Sequence, residues 1–193
     1  AINTPIGARP ATDYSGVKLP TPPAGTAVNV AGSAPGLYGG TKLIDVCDRE
    51  ALVAFLTSDV AKGDAWASVH GISRAEIPDY IAGLTDVVLQ VDTRVTNHGY
   101  RDGSPKAIDS VLQAGTAVLI DRYGVPRVRC YCGNPLLEAR PLATDRPSVT
   151  GTAWEGLDTN RAVIISPVDP ITELILDDVT SNELLVRKPG DAA

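Results

Sequence analysis

The sequence predicts an α+β domain, in which a small cluster of short helices packs on an antiparallel sheet behind an extended proline-rich arm. Three observations predict it. Prolines crowd the N-terminal 38 residues, helix caps and i, i+3, i+4 apolar spacing recur between residues 48 and 84, and beyond Leu84 the apolar period falls from 3.6 to 2. Residues 1–38 are read as the arm and residues 39–193 as one globular domain. The chain has 193 residues and 44% of them are hydrophobic, enough for a single core.

The arm holds Pro5, Pro10, Pro20, Pro22, Pro23 and Pro35, with Arg9, Asp13 and Lys18 as its charged side chains. Proline fixes φ and lacks an N–H, so neither a long helix nor a central strand can form there. In polyproline geometry such a stretch reaches on the order of 100 Å. Pro10, Tyr14, Pro20, Pro22 and Pro23 are its candidate docking residues.

Asp48 is placed to cap a helix whose Leu52, Phe55 and Leu56 share a face. A second helix follows Ser58, with Val60, Trp66 and Val69 expected to be buried, and Gly71 ends it. Ser73 and Glu76 form a capping box before Ile77, Ile81 and Leu84, and Pro78 falls in the first turns. Leu89, Val91, Thr93 and Val95 then alternate with polar residues as a half-buried strand. Residues 97–103 read as a loop with two glycines. Residues 114–120 and 125–131 read as a hairpin about Asp121–Gly124, and Gly133-Asn134-Pro135 as a strand breaker. Residues 135–153 are expected to cross the surface. Residues 162–166, 173–176 and 184–187 are three further strands.

Charge and motifs restrict the function. With 17 basic and 23 acidic side chains the net charge is −6, which argues against a nucleic-acid partner because backbone binding depends on releasing phosphate counterions. No apolar run of 18 residues is present. The chain lacks methionine altogether and starts Ala1-Ile2-Asn3, as expected of a processed chain whose membrane anchor has been removed or lies outside it. No Gly-x-Ser-x-Gly, P-loop, Rossmann or calcium-loop pattern occurs, so neither a catalytic set nor a cofactor is expected.

The two histidines have structural explanations. His70 sits at a helix end, where an imidazolium suits the dipole, and His98 follows a strand carrying Asp92 and Arg94. Three cysteines fit an exported domain with one disulfide and one buried thiol. Cys130 and Cys132 are two apart on a strand and cannot bond to each other without strain, so Cys47 pairs with Cys132 or Cys130, worth about 4 kcal/mol by loop entropy. Three reduced core cysteines in a cytoplasmic protein are one alternative, and a zinc site of Cys47, Cys130, Cys132 and His98 is another, although Cys-x-Cys is an unusual zinc spacing. The last strands carry Asp169, Glu173, Asp177, Asp178 and Glu183, an acidic face that could meet a basic partner.

Longer motifs carry a family likeness. Asp92-Thr93-Arg94-Val95-Thr96-Asn97-His98-Gly99 and Arg129-Cys130-Tyr131-Cys132-Gly133-Asn134-Pro135-Leu136, with Cys47-Asp48, Ala65-Trp66-Ala67, Ile77-Pro78-Asp79-Tyr80 and Trp154-Glu155-Gly156, resemble a domain of unknown function found in actinobacterial envelope proteins. The resemblance implies a single-pass membrane protein with a proline-rich segment and this domain on the extracytoplasmic side. It implies no enzymatic activity.

The expected function is therefore a non-enzymatic accessory subunit of a membrane or envelope complex, a respiratory supercomplex being one setting. It would dock on other protein subunits through the arm. The alternative is the ligand-sensing extracellular domain of a receptor or kinase-type protein. Asp92, Arg94, Asn97, His98 and Arg129 are the candidate ligand or partner contacts.

Overall fold

The computed structural model describes residues 28–42, 45–141, 150–181 and 183–191. The arm positions Pro10, Tyr14, Pro20, Pro22 and Pro23 lie outside the described residues.

The sheet, and not a helix cluster, makes the fold. The strands are β1 (Asn29–Ala31), β2 (Tyr38–Gly40), β3 (Thr85–Leu89), β4 (Thr93–Arg101), β5 (Ser104–Leu112), β6 (Ala117–Ile120), β7 (Pro126–Arg129), β8 (Asn134–Glu138), β9 (Val163–Ser166), β10 (Leu174–Asp178) and β11 (Leu184–Arg187). Ten of them run in the order β1-β9-β4-β8-β7-β6-β3-β2-β10-β11 and curl into a half-barrel, while β5 pairs with β4 off this path. The pairings of β1 with β9, β9 with β4 and β2 with β10 are parallel, so the sheet is mixed. The expected small cluster of short helices packed on an antiparallel sheet is corrected: the sheet is mixed and dominates the fold. Three short helices, α1 (Arg49–Ser58), α2 (Val60–His70) and α3 (Ile77–Ala82), cover part of the outer face.

Local chemistry explains the helices. The Asp48 carboxylate accepts from the Ala51 N–H at 2.9 Å, and Asp59 caps α2 through the Lys62 N–H at 3.0 Å. Gly71, at φ +69°, ends α2 in the left-handed region. Glu76 accepts from both the N–H and the hydroxyl of Ser73, so the capping box forms ahead of α3. Trp66 is buried as expected, but Val60 is 57% exposed. As the first residue of α2, Val60 points off the end of the helix.

Two cores result. The inner face of the curl collects Leu37, Val87, Leu89, Val95, Val118, Ile120, Leu136, Val163, Leu176 and Leu185. Between the helices and the outer face lie Leu52, Leu56, Trp66, Ile77, Ile81, Leu119 and Val128. Val118 and Ile120 belong to the first and Leu119 to the second, as the period of two requires. β1 falls within the stretch read as the arm and β2 begins at its last residue, Tyr38, whose hydroxyl donates to the Gly124 carbonyl at 2.7 Å in the interior. Gly32 meets Gly124 so closely that a Cβ on Gly32 would stand 2.6 Å from the Gly124 oxygen.

Strands were missed for identifiable reasons. All five residues of β3 are buried, so its two covered faces leave no alternation to read. Residues 97–103 are no loop. Asp102 and Gly103 alone make the turn, at φ +53° and +75°, and join two nine-residue strands. Gly133-Asn134-Pro135 opens β8 instead of ending structure, because a proline near a strand's start need not donate to the ladder.

Candidate functional site

The structure does not bring Asp92, Arg94, Asn97, His98 and Arg129 to one place. Asp92 stands before β4, where its carboxylate accepts from the Ala114 N–H at 2.8 Å and the Trp154 indole N–H at 3.2 Å. It ties two connections to the sheet and forms no ion pair with Arg94. Arg94 donates to the Arg140 carbonyl at 3.3 Å. Arg94 and His98 project to the outer face of β4. The space beside His98, walled by Trp66, Tyr100, Pro105 and Pro135, is about 10 Å³, room for one water at most. The His98 Nδ1 lies 3.3 Å from the Pro135 carbonyl, and burial lowers its pKa.

Asn97 and Arg129 face the other way. Asn97 pairs with Leu136, an inner-core residue, and Arg129 pairs with Asn134, two residues before Leu136 on the same strand. Asn97, Asn134 and Arg129 thus share the inner face of adjacent strands. Asn97 Oδ1, Asn134 Oδ1 and Arg129 Nε are buried and unpartnered. Asn134 escaped the sequence reading because Asn-Pro reads as a turn.

Cys47 is bonded to Cys130, with the Cα atoms 5.4 Å apart, and Cys132 is a buried thiol. Of the two pairings left open, the structure takes Cys130. The bond occupies two of the four donors of the imagined zinc set. Among the described residues no group of three His, Cys, Asp or Glu side chains is placed to hold a metal ion.

His70 belongs to an aromatic cluster. Its ring stacks on Tyr80 at 4.8 Å between centroids and meets Trp66 edge-on at 4.5 Å, and its Nδ1 lies 3.1 Å from the Tyr80 hydroxyl. Burial, with the nearby charges of Arg127 and His98, pushes its pKa down from 6.5 to about 3. A folded-state pKa below the unfolded one means that the unfolded chain binds the proton first. The stability this group contributes is complete above 6.5 and is lost on acidification towards pH 3, by up to about 1.4 kcal/mol per pH unit. His70→Phe is expected to flatten that slope by one proton in urea unfolding across the window. An unchanged slope would exclude His70 as its source.

The C-terminal hairpin presents a surface of another kind. β11 ends the strand path, and β10 is its sole strand neighbour among the described residues. Leu174, Leu176 and Leu185 turn inward, whereas Ile175, Leu184 and Val186 are 52%, 68% and 67% exposed. Ile175 is paired with Val186 and Asp177 with Leu184, so the three apolar side chains share the outer face. The Asp178 N–H donates to the Glu183 carbonyl at 2.7 Å, and this sets the phase of the ladder. Glu183, Leu185 and Arg187 aim their backbone groups at β10, and Leu184 and Val186 aim theirs at the open edge. The other long unpaired edge, that of β5, is guarded by Pro105 and Lys106. β11 has no proline or lysine within it, Lys188 following only after its end. The apolar run marks this strand but not its exposed face, since Leu-Leu-Val is apolar at every position. A wide groove of about 550 Å³ between α1 and α3, lined by Val53, Ala54, Pro78 and Ile81, is a further open apolar surface.

A domain of unknown function, DUF6777, matches residues 28–190. The chain belongs to the DUF6777 family. The match spans every described strand and helix of the DUF6777 domain, from β1 to β11. No curated protein and no solved structure matches it.

Proposed function

We propose that this DUF6777 chain is a non-enzymatic interaction module, an extracytoplasmic accessory subunit of an actinobacterial membrane or envelope complex, and that it docks through the outer face and free edge of the β10–β11 hairpin. The observation that carries the reading is the coincidence at Leu184 and Val186 of exposed apolar side chains with outward-facing backbone donors and acceptors. A strand left open in this way is a template for another strand, and natural edges are normally blunted against it. The histidines support the reading from the other side. His70 is held neutral inside an aromatic cluster and His98 is bound to a backbone carbonyl, both uses that serve packing. The disulfide suits an oxidising compartment, and among the described residues no helix is long and apolar enough to cross a membrane.

The test is site-specific photo-cross-linking of the full chain in native membranes. A photoreactive side chain in place of Val186 is expected to give adducts with a second polypeptide, and the same probe in place of Val60, exposed on α2, is expected to give none. Equal labelling from both positions, or none from either, would remove the docking reading.

A further inference from the structure

We propose that the mouth of the half-barrel binds a phosphate group, held between Arg129 and Lys106 over the backbone of Gly99. The proposal stands apart from the docking reading and uses no residue of β10 or β11. The turn at Gly124 joins β6 to β7, and Gly32 packs against it, so that end of the curl is closed. Arg129 stands at the other end of β7. There the inner face carries a row of residues across β7, β8, β4 and β5. Arg129 is paired with Asn134, and Gly99 with Lys106. Continuing the register of Asn97 with Leu136 sets Asn134 beside Gly99. Asn97 and Ile108 are the next inward pair along β4 and β5.

Three features make this row a receptor for an anion. The first is unpaired charge. Arg129 and Lys106 have no ion-pair partner among the described residues, whereas Glu138 on β8 and Asp109 on β5 are taken by Arg127 and Arg140. The second is the polarity of the free ends. Asn97 Oδ1, Asn134 Oδ1 and Arg129 Nε are buried without partners, and buried polar atoms left alone in this way mark a place that another group completes. The amino groups of both asparagines and the Nη atoms of Arg129 make no hydrogen bond either, but they are not fully enclosed. What the mouth offers outward is donors, and their match is a group that only accepts. The third is room. A Cβ on Gly99 would meet one atom within contact distance, Ile108 Cδ1 at 3.7 Å, so the floor between the two cations is bare backbone.

Arg129 and Lys106 stand three strand spacings apart, about 14 Å. Two long side chains close that span from opposite sides, and Asn134 and Asn97 add donors from beneath. Donors that arrive from four strands suit a tetrahedral oxyanion better than a planar carboxylate, which a single guanidinium already satisfies. Ile108, 51% exposed, gives an apolar wall for the molecule that carries the phosphate. That molecule can be a soluble phosphate ester or a lipid with a phosphate headgroup.

Isothermal titration calorimetry of the full chain at constant ionic strength tests the site. Inorganic phosphate and glycerol phosphate are expected to bind with a dissociation constant of about 1 mM or below, and acetate is expected not to bind. Lys106→Gln, at an exposed position, is expected to weaken phosphate binding about tenfold. Gly99→Leu keeps every charge but fills the floor, and is expected to abolish binding. The unfolding midpoint of each variant without ligand checks that it folds, and Lys106→Gln decides alone if Gly99→Leu does not. No phosphate binding, equal binding of acetate, or binding that Lys106→Gln leaves unchanged overturns the proposal. Co-sedimentation with phosphatidylglycerol vesicles then separates the sources. Capture that Lys106→Gln removes assigns the phosphate to a lipid headgroup, and any other result assigns it to a soluble ester.

Discussion

Reducing the Cys47–Cys130 bond is expected to lower the unfolding free energy by about 4–5 kcal/mol, the largest effect of any single covalent change in this chain. The bond joins residues 83 apart, and loop-closure entropy for a loop of that size gives a figure in this range. It fastens the segment before α1 to the turn between β7 and β8, and so clamps the helical layer onto the outer face of the sheet. Leu52, Leu56, Trp66, Ile77 and Ile81 still have their apolar contacts when it is cut, so the reduced chain should fold, with a lower midpoint. Urea unfolding of the oxidised and reduced protein measures the difference. The pairing has its own readout. Cys132→Ser should leave the bond and most of the stability in place, whereas Cys130→Ser should lose both. A shift below about 1 kcal/mol on reduction would mean that the bond restrains little of the unfolded chain. A Cys130→Ser protein that remains oxidised would mean that Cys132 can take the place of Cys130.

How much of this fold could be read from the sequence depended on whether an element has one solvent-facing side. α1, α2 and α3 do, and Asp48, Gly71, Ser73 and Glu76 announced their ends. β9, β10 and β11 were placed within about two residues from their apolar runs. β3 could not be read by period because helices cover one face and the inner core the other. The Asp102-Gly103 turn was legible in principle, since Asp-Gly is a hairpin signal, but Asn97, His98 and Gly99 drew attention to themselves as a loop and hid two long strands. That mistake also scattered the site. A loop would have let His98 and Arg129 converge, whereas a strand fixes His98 on the outer face and Asn97 on the inner one. The parallel pairings depend on residues far apart in sequence, such as Asn29 with Ile164, and no local pattern encodes them. The β11 edge needed the sheet order before it could be seen at all.

The last link of that sheet is an ion pair between residues 101 apart, which no local pattern announces. Asp86→Ala is expected to destabilise the fold by about 3–5 kcal/mol, because it leaves the Arg187 guanidinium buried without its counter-ion. Arg187 Nη1 donates to the Asp86 carboxylate at 2.9 Å and to its backbone carbonyl at 3.0 Å, Nη2 donates to the Thr41 carbonyl, and the Asp86 carboxylate also accepts from the Val46 N–H at 2.7 Å. The pair therefore ties β11 to β3 and to the chain on either side of residues 43 and 44. Both side chains are almost wholly inside, 7% exposed for Arg187 and 1% for Asp86.

Burial raises the Asp86 pKa above the ordinary 3.8 even though the Val46 N–H and Arg187 pull it down, so the cost of desolvating the carboxylate exceeds what its partners return. Two consequences separate this pair from a simple stabilising bridge. A raised folded-state pKa means that the native state binds this proton before the unfolded state does. Asp86 alone therefore makes the fold more stable as pH falls towards 3.8, and Arg187→Met should widen that window by pushing the carboxyl higher. Replacing both partners, as Asp86→Leu with Arg187→Met, should also recover a large part of the loss seen in Asp86→Ala, since neither buried charge then remains. Denaturant unfolding of the two single variants and the double variant at two pH values decides it. If the double variant stays as unstable as the worse of the two singles, the pair is a net attraction that the fold depends on, whereas a loss equal to the sum of the singles would mean that the two side chains do not act as a pair. Recovery would mean that its role is to fix the position of β11, and with it the edge proposed here as the docking strand.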